Sequence, residues 1–306
     1  MNLQCVLVFP GGERVTLSKC LRFSLLRERY QAFAQLHVQM LADAEIGVPS
    51  EIFFDLNGQR LHHGMVLNAG CVRVKKQWIF RCTSRSFTAV LTKNQLVPGI
   101  HSNVTLQSLM ETYQLPNITY DTGMAAINYI YVRENAAMWD SVIAYNYKLS
   151  GGFPYIRVPN MLCMTAQTGT VPVVLPGNAV ISAGNGGDCS EMISRVDMAN
   201  AAGEYGSFTM TNPEAVRRNI VRVRQIALDK QYLYAPDDAL RFRIALSNRK
   251  MYAETAEYAG YCGEDIEDLV QYGTKTARVS RILLSGDANG LRTADTFYFD
   301  PFCNPA

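Results

Sequence analysis

The arrangement in this 306-residue sequence best suited to covalent chemistry is Gly187-Asp188-Cys189-Ser190, a thiol after a glycine-rich turn, flanked by a carboxylate and a hydroxyl. A cysteine at its free pKa is only a few per cent thiolate at neutral pH, so it needs a base, normally an imidazole, within hydrogen-bond reach. The four histidines stand at 37, 62, 63 and 101, all upstream, and Glu191 follows where an apolar strand would begin. On the residues alone, Cys189 is expected to be a loop cysteine, and no catalytic residue is assigned. His62 and His63 are adjacent, so on a strand they face opposite ways and cannot chelate one ion. No HxxxH, HExxH or ExxH pair occurs, and the cysteines at 5, 20, 71, 82, 163, 189, 262 and 303 never fall at CxxC spacing. Gly184-Asn185-Gly186-Gly187 could cradle a phosphate, but no lysine follows it, and a flexible loop is expected. No metal and no cofactor are therefore expected.

The charged and aromatic clusters point the same way. Glu264, Asp265, Glu267 and Asp268 lie between Gly263 and a strand starting at Leu269, which reads as a solvated turn rather than a glycosidase pair. Arg217, Arg218, Arg222 and Arg224 form a local basic patch, yet 29 basic and 27 acidic residues give a net charge of only +2. That balance excludes a sequence-specific nucleic-acid reader and favours an interface or pore-facing stripe. Tyr129, Tyr131, Tyr145, Tyr147 and Tyr155 read as core and interface.

The elements around these residues are mostly strands. Apolar residues make up 48% and charged residues 18%, enough to bury a core and too apolar for disorder. The opening MNLQCVLVFPGGERV lacks a basic n-region and a long apolar h-region, and no apolar run reaches the roughly 18 residues of a membrane helix. These features predict free thiols, synthesis in the cytoplasm and no membrane insertion. Residues 34–40 alternate with period two, a half-buried strand. Asn57-Gly58 predicts a type I′ hairpin between 52–56 and 59–67, with Gly64 a candidate bulge, and Asn289-Gly290 predicts a second hairpin. Leu106, Leu109, Met110 and Tyr113 share a helix face, with Thr105 as cap and Pro116 as stop. Trp139, Val142, Ile143 and Tyr147 share another, with Asn135 as expected cap and Gly151-Gly152 as terminator. A last helix is expected over 237–250, capped by Asp237. Residues 165–188, rich in glycine and proline, form the best internal boundary. The expected fold class is α+β, mostly β. It has three domains: a β domain over 1–82, a small α/β domain over 83–165, and a β domain with one helix over 166–306.

Several strings, in this order, resemble the baseplate hub of contractile phage tails, the late control protein D type found in Mu-like phages, PBSX-like prophages and tail-like bacteriocins. They are Phe54-Asp55-Leu56-Asn57-Gly58-Gln59-Arg60 with His63-Gly64-Met65-Val66; Ala89-Val90-Leu91; Val104-Thr105-Leu106-Gln107-Ser108-Leu109; Trp139-Asp140 with Gly151-Gly152-Phe153-Pro154-Tyr155; and Ile266-Glu267-Asp268-Leu269-Val270, where a Pro-Gly-Asp-Leu-Val turn is typical. Val279-Ser280-Arg281-Ile282 and the final hairpin close the series, while Cys262-Gly263-Glu264-Asp265 departs from it. The resemblance implies a non-enzymatic structural protein of the virion or tail-like particle. It would be a homotrimer in which two tube-like β-barrel domains per subunit flank the α/β domain and imitate a sixfold ring, joining the sixfold tail tube to the threefold spike. The implied partners are the tube, central spike, baseplate wedge and tape-measure proteins. Two alternatives stand beside it: the tail-tip hub of a non-contractile phage, and a cell-wall cysteine peptidase, since Asp188-Cys189-Ser190 resembles the NlpC/P60 nucleophile motif without its downstream histidine. In a trimer, the strands carrying Val221, Arg222, Val223 and Arg224, and Phe297 and Phe299, are the expected edge strands meeting the next subunit.

Overall fold

The computed structural model describes residues 2–165, 171–299 and 302. Residues 166–170 of the expected linker, Asp300 and Cys303 lie outside them. The first third is all strand: β1 (Leu3–Val8), β2 (Arg14–Leu17), β3 (Cys20–Glu28), β4 (Gln35–Ala42), β5 (Glu51–Leu56), β6 (Gln59–Val74) and β7 (Gln77–Ser86). The middle holds β8 (Gly99–Val104), α1 (Leu106–Met110), β9 (Thr119–Tyr120), β10 (Ile127–Val132), α2 (Met138–Ser150), β11 (Tyr155–Arg157) and β12 (Met161–Cys163). Then follow β13 (Val173–Val174), β14 (Val180–Gly186), β15 (Arg195–Met198), β16 (Phe208–Thr211), α3 (Pro213–Arg217), β17 (Val223–Ile226), α4 (Pro236–Asn248), β18 (Ala253–Ala259), β19 (Leu269–Tyr272), β20 (Lys275–Arg278), β21 (Arg281–Asp287) and β22 (Gly290–Tyr298).

The organising feature is one eleven-stranded sheet in the order β14-β18-β22-β21-β3-β4-β7-β6-β5-β1-β2. Its two halves join where β21 pairs antiparallel with β3, Leu284 opposite Leu25 and Ser285 opposite Ser24. Strands from the first and last thirds thus share one backbone ladder, and among the described residues neither end segment closes on itself as a barrel. The alternation in β4 buries Leu36, Val38 and Met40 against Leu25, Ile52, Phe54 and Phe80 of the same core. Asn57 (φ 52°) and Gly58 (φ 85°) form the expected tight turn between β5 and β6. Gly64 is not at a bulge. It pairs with Ile52 and Ser86, and a Cβ there would stand 2.2 Å from the Arg85 carbonyl oxygen, so close backbone approach is what requires glycine.

The middle segment packs around α2 as a second core, with Met138, Val142 and Tyr145 fully buried beside Leu106, Ile130 and Leu162. Thr105 caps α1 by accepting the Ser108 N–H at 3.0 Å, as its position predicts. α2 starts differently. Ala137 is the cap residue, its N–H donates to Asp140 Oδ2 at 3.1 Å, and Asn135 sits outside with φ 61°. Gly151 ends the helix in the left-handed region at φ 72°. Likewise α4 begins at Pro236 after Ala235, with Asp237 and Asp238 in its first turn, where carboxylates favour the helix dipole without capping it. β15, β16 and β17 form a separate small sheet, β16-β15-β17, against α4 and Tyr232.

Candidate functional site

Cys189 lies in a turn just past β14. Asp188 Oδ1 accepts the Ser190 N–H at 2.8 Å, an Asx turn; hydrogen bonding from the Ser190 hydroxyl, then from its N–H, holds the carboxylate below its ordinary range, and the Asp188 N–H donates to the Lys250 carbonyl at 2.7 Å. Each histidine ring is engaged elsewhere. His37 contacts Gln35 and Thr83, His62 contacts Ser84 at 2.8 Å, His63 contacts Glu51 at 3.2 Å, and His101 contacts the Val97 carbonyl at 2.7 Å. β14 and the histidine-bearing β4 are five strands apart in the sheet, about 24 Å measured along it. The motif Asp188-Cys189-Ser190 is thus a turn device, and no imidazole is brought to the thiol among the described residues. The seven described cysteines are all unpaired.

The residues expected at an interface divide. β17 is an edge strand of the small sheet, with Val221 90% and Val223 41% exposed and Arg224 exposed beside them. Arg222 is turned back onto its own chain, donating to the Ser190 and Met192 carbonyls. Phe299, just past β22, is 40% exposed. Phe297 corrects the expectation. β22 is an interior strand between β18 and β21, and Phe297 is fully buried, stacked on Tyr272 at 4.7 Å. Thr296 and Tyr298 are buried too, so the alternation marks a strand covered on both faces rather than an edge.

The acidic run at 264–268 is the largest departure from the sequence reading. It is not a solvated turn: Glu264, Asp265 and Glu267 are buried, and Asp265 and Glu267 meet arginines from distant parts of the chain. Arg27 of β3 donates to Asp265 Oδ1 at 2.5 Å and to the Tyr261 hydroxyl at 3.2 Å. Asp265 Oδ2 accepts the Val158 N–H at 2.9 Å, and Arg157 of β11 donates to Asp268 Oδ1 at 2.8 Å. Arg29, just past β3, pairs with Glu267 and donates to the Phe302 carbonyl at 2.8 Å. This network ties the large sheet, the middle segment and the 262–268 loop together. Glu267 adopts φ 70°, the left-handed conformation that a glycine takes without strain, at the position where the resembling family has Pro-Gly. The ion pair to Arg29 accompanies that substitution. Nothing local in the sequence announces it, because Arg27 lies 238 residues upstream of Asp265 and Arg157 lies 111 upstream of Asp268.

Two buried titratable groups accompany the network. Asp295, on the interior face of β22 between Thr293 and Phe297, is fully buried and neither carboxyl oxygen has a hydrogen-bond partner among the described residues. Burial, then the charge of Glu264, raises its pKa far above the carboxylate range, and Arg27 opposes this. Glu264 is likewise raised by burial, while its bond from the Tyr258 hydroxyl at 2.6 Å works against the shift. Burial also holds His62 neutral, lowering it to about 3.

No family model matches the chain, and no curated protein does. Solved structures do. A 43 kDa tail protein of prophage MuSo2 from Shewanella oneidensis is 16% identical, with 98% of each chain covered and a TM-score of 0.68. A tail protein from Neisseria meningitidis is 10% identical, covering 100% of this chain and 99% of that one, TM-score 0.73. An E. coli component of the type VI secretion system, described as structurally similar to the T4 bacteriophage tail proteins gp27 and gp5, is 11% identical over 93% of this chain and 76% of that one, TM-score 0.58. No helix among the described residues is long and apolar enough to cross a membrane. A mostly-β chain built on one long sheet and matched end to end by these structures shares the fold of prophage tail proteins.

Proposed function

We propose that this chain is a structural baseplate hub of a contractile phage tail or tail-like particle. It acts as a homotrimer that joins the sixfold tail tube to the threefold spike, and it meets the tube, spike, wedge and tape-measure proteins. The observation that carries this reading is the end-to-end match to tail proteins, 98–100% of this chain against 98–99% of theirs. In this reading the strands of 1–82 and those of 166–306 are the two tube-like units, and 83–165 is the domain between them. The sheet supports ring closure because, among the described residues, its outer strands, β14 and β2, have one unpaired side each. Open edges are pairing templates, and neighbours in a closed ring cover them. β17, with exposed Val221, Val223 and Arg224, is a further contact, together with Phe299.

The test is mass in solution together with electron microscopy of negatively stained particles. A three-chain ring is expected. Val223→Asp should leave the subunit folded, since the side chain is already 41% exposed, but prevent assembly by placing a charge in the contact. A Val223→Asp chain that still forms rings would remove β17 from the interface. A monomer that cleaves cell-wall peptides and loses that activity on Cys189→Ala would overturn the structural reading in favour of the peptidase.

A further inference from the structure

A cavity of about 630 Å3 opens on the face of the large sheet turned away from the apolar core. The strand register explains its chemistry. Arg22, Gln39, Arg81 and Gly70 stand directly opposite one another across β3, β4, β7 and β6, and Ser24, His37, Thr83 and Asn68 form the next row. Phe23, Val38 and Cys82 point the other way, into the core. With Gln39 between them, the Arg22 and Arg81 backbones are about 10 Å apart, so both long side chains can converge on one group. Neither guanidinium has an ion pair or hydrogen bond among the described residues, and the lining contains no carboxylate. Asp287, at the end of neighbouring β21, is engaged by the Asn289 N–H at 2.7 Å.

The second row adds donors. Gln35 Nε2 lies 2.7 Å from His37 Nε2, and His37 Nδ1 lies 3.0 Å from Thr83 Oγ1. With the amide donating to Nε2, the ring proton sits on Nδ1 and is given to Thr83, whose own hydroxyl proton is left to donate outward. The amides of Gln39 and Asn68 and the Ser24 hydroxyl complete a donor-rich lining. Gly70 has nothing within 4 Å of where a Cβ would stand, which keeps that end of the arginine row open.

We propose that this cavity is an oxyanion site that takes the phosphate or sulfate ester of a small ligand. Two guanidiniums without an ion pair and several neutral donors, in a lining that holds no carboxylate, match the planar, multidentate recognition of such groups. The volume is that of a small-molecule site rather than a groove for a polymer. The inference does not depend on the hub reading.

The experiment is calorimetric titration of the full chain at constant ionic strength with pyrophosphate and, separately, sulfate. Saturable binding of one anion per chain is expected, with a dissociation constant below about 1 mM. Preference for pyrophosphate assigns a phosphate ester, and preference for sulfate a sulfate ester. Arg22→Gln and Arg81→Gln should each weaken binding about tenfold, and the double variant should abolish it. Arg292→Gln, on the same face but outside the cavity, should leave it unchanged. Both cavity arginines are exposed, so the variants keep the fold, with the melting temperature as the check. The proposal is overturned if neither anion binds saturably or if the double variant binds as tightly as the parent. Binding confined to a single-stranded oligonucleotide would also overturn it, since the face would then be a strand-tracking surface.

Discussion

Replacing Asp265 by alanine should be among the most damaging single changes in the chain. Asp265 is 6% exposed and meets Arg27, itself 3% exposed, at 2.5 Å, while its other oxygen accepts the Val158 N–H. Alanine leaves the buried Arg27 guanidinium with the Tyr261 hydroxyl as its remaining hydrogen-bond partner among the described residues, and leaves the Val158 N–H without its acceptor. Stripping one partner from a buried ion pair costs about 3–5 kcal/mol, and an orphaned N–H adds about 1 kcal/mol more. At about 1.6 °C per kcal/mol for 306 residues, the melting temperature should fall by about 6–10 °C. Calorimetry would read the loss, and hydrogen exchange should show earlier opening of 155–163, where Val158 sits. The loss should be nearly independent of salt because the pair is shielded from solvent. Arg27→Met combined with Asp265→Leu should recover more than half of it, since an apolar pair removes the stranded charge. As a contrast, Arg60→Ala breaks the exposed Asp55 pair and should cost less than about 1 kcal/mol. An Asp265→Ala chain melting within about 2 °C of the parent would refute the argument that this network anchors the middle segment.

Further outcomes follow from single groups. Burial and the neighbouring Glu264 lift Asp295 to about 8 in the folded chain. A carboxyl raised above its unfolded value near 3.9 stabilises fully below about pH 3.9 and loses that contribution as pH rises through about 8. Urea midpoints should therefore fall between about pH 5 and about pH 8, and Asp295→Asn should flatten that fall; an unchanged slope would count against it. Gly64→Ala, placing a Cβ 2.2 Å from the Arg85 carbonyl oxygen and 2.5 Å from His62 Nε2, should destabilise by about 1–3 kcal/mol, and a denaturation midpoint matching the parent would show that the two strands can separate.

What the sequence discloses is what local chemistry encodes. Asn57-Gly58 specifies its turn because few dipeptides tolerate two positive φ values, and Gly151 ends α2 for the same reason. The alternation in β4 predicts which residues face the core. The cap of α2 eluded the pattern because Asp140 serves the start from inside the helix, so a capping side chain at 135 is unnecessary. Phe297 and the acidic run depart from the sequence pattern for a common reason. Whether a phenylalanine or a carboxylate is buried depends on what lies across the sheet, and here that is decided by β21 meeting β3 and by Arg27 and Arg29. Phe297 and 264–268 sit where a distant contact overrides the local signal, whereas Asn135 and Asp237 miss the cap by two positions for local reasons, Asp140 and Pro236 setting where the helices start.

The pairing of β21 with β3 also sets a timetable. Leu25 waits for Leu284, about 260 residues later in the chain, and closing a loop of that length costs about 5 kcal/mol of chain entropy beyond the constant term. At roughly 5–20 residues per second, a ribosome takes about 13–50 s to deliver the partner. During that interval β1 to β7 can pair as one half of the sheet, but β3 carries a bare row of N–H and C=O groups. Every nascent chain in a polysome therefore presents the same sticky margin to its neighbours, and chains stopped before 281 never cover it. Premature termination should give aggregates rather than soluble halves, which makes completion of the last hairpin the quality checkpoint of the whole molecule.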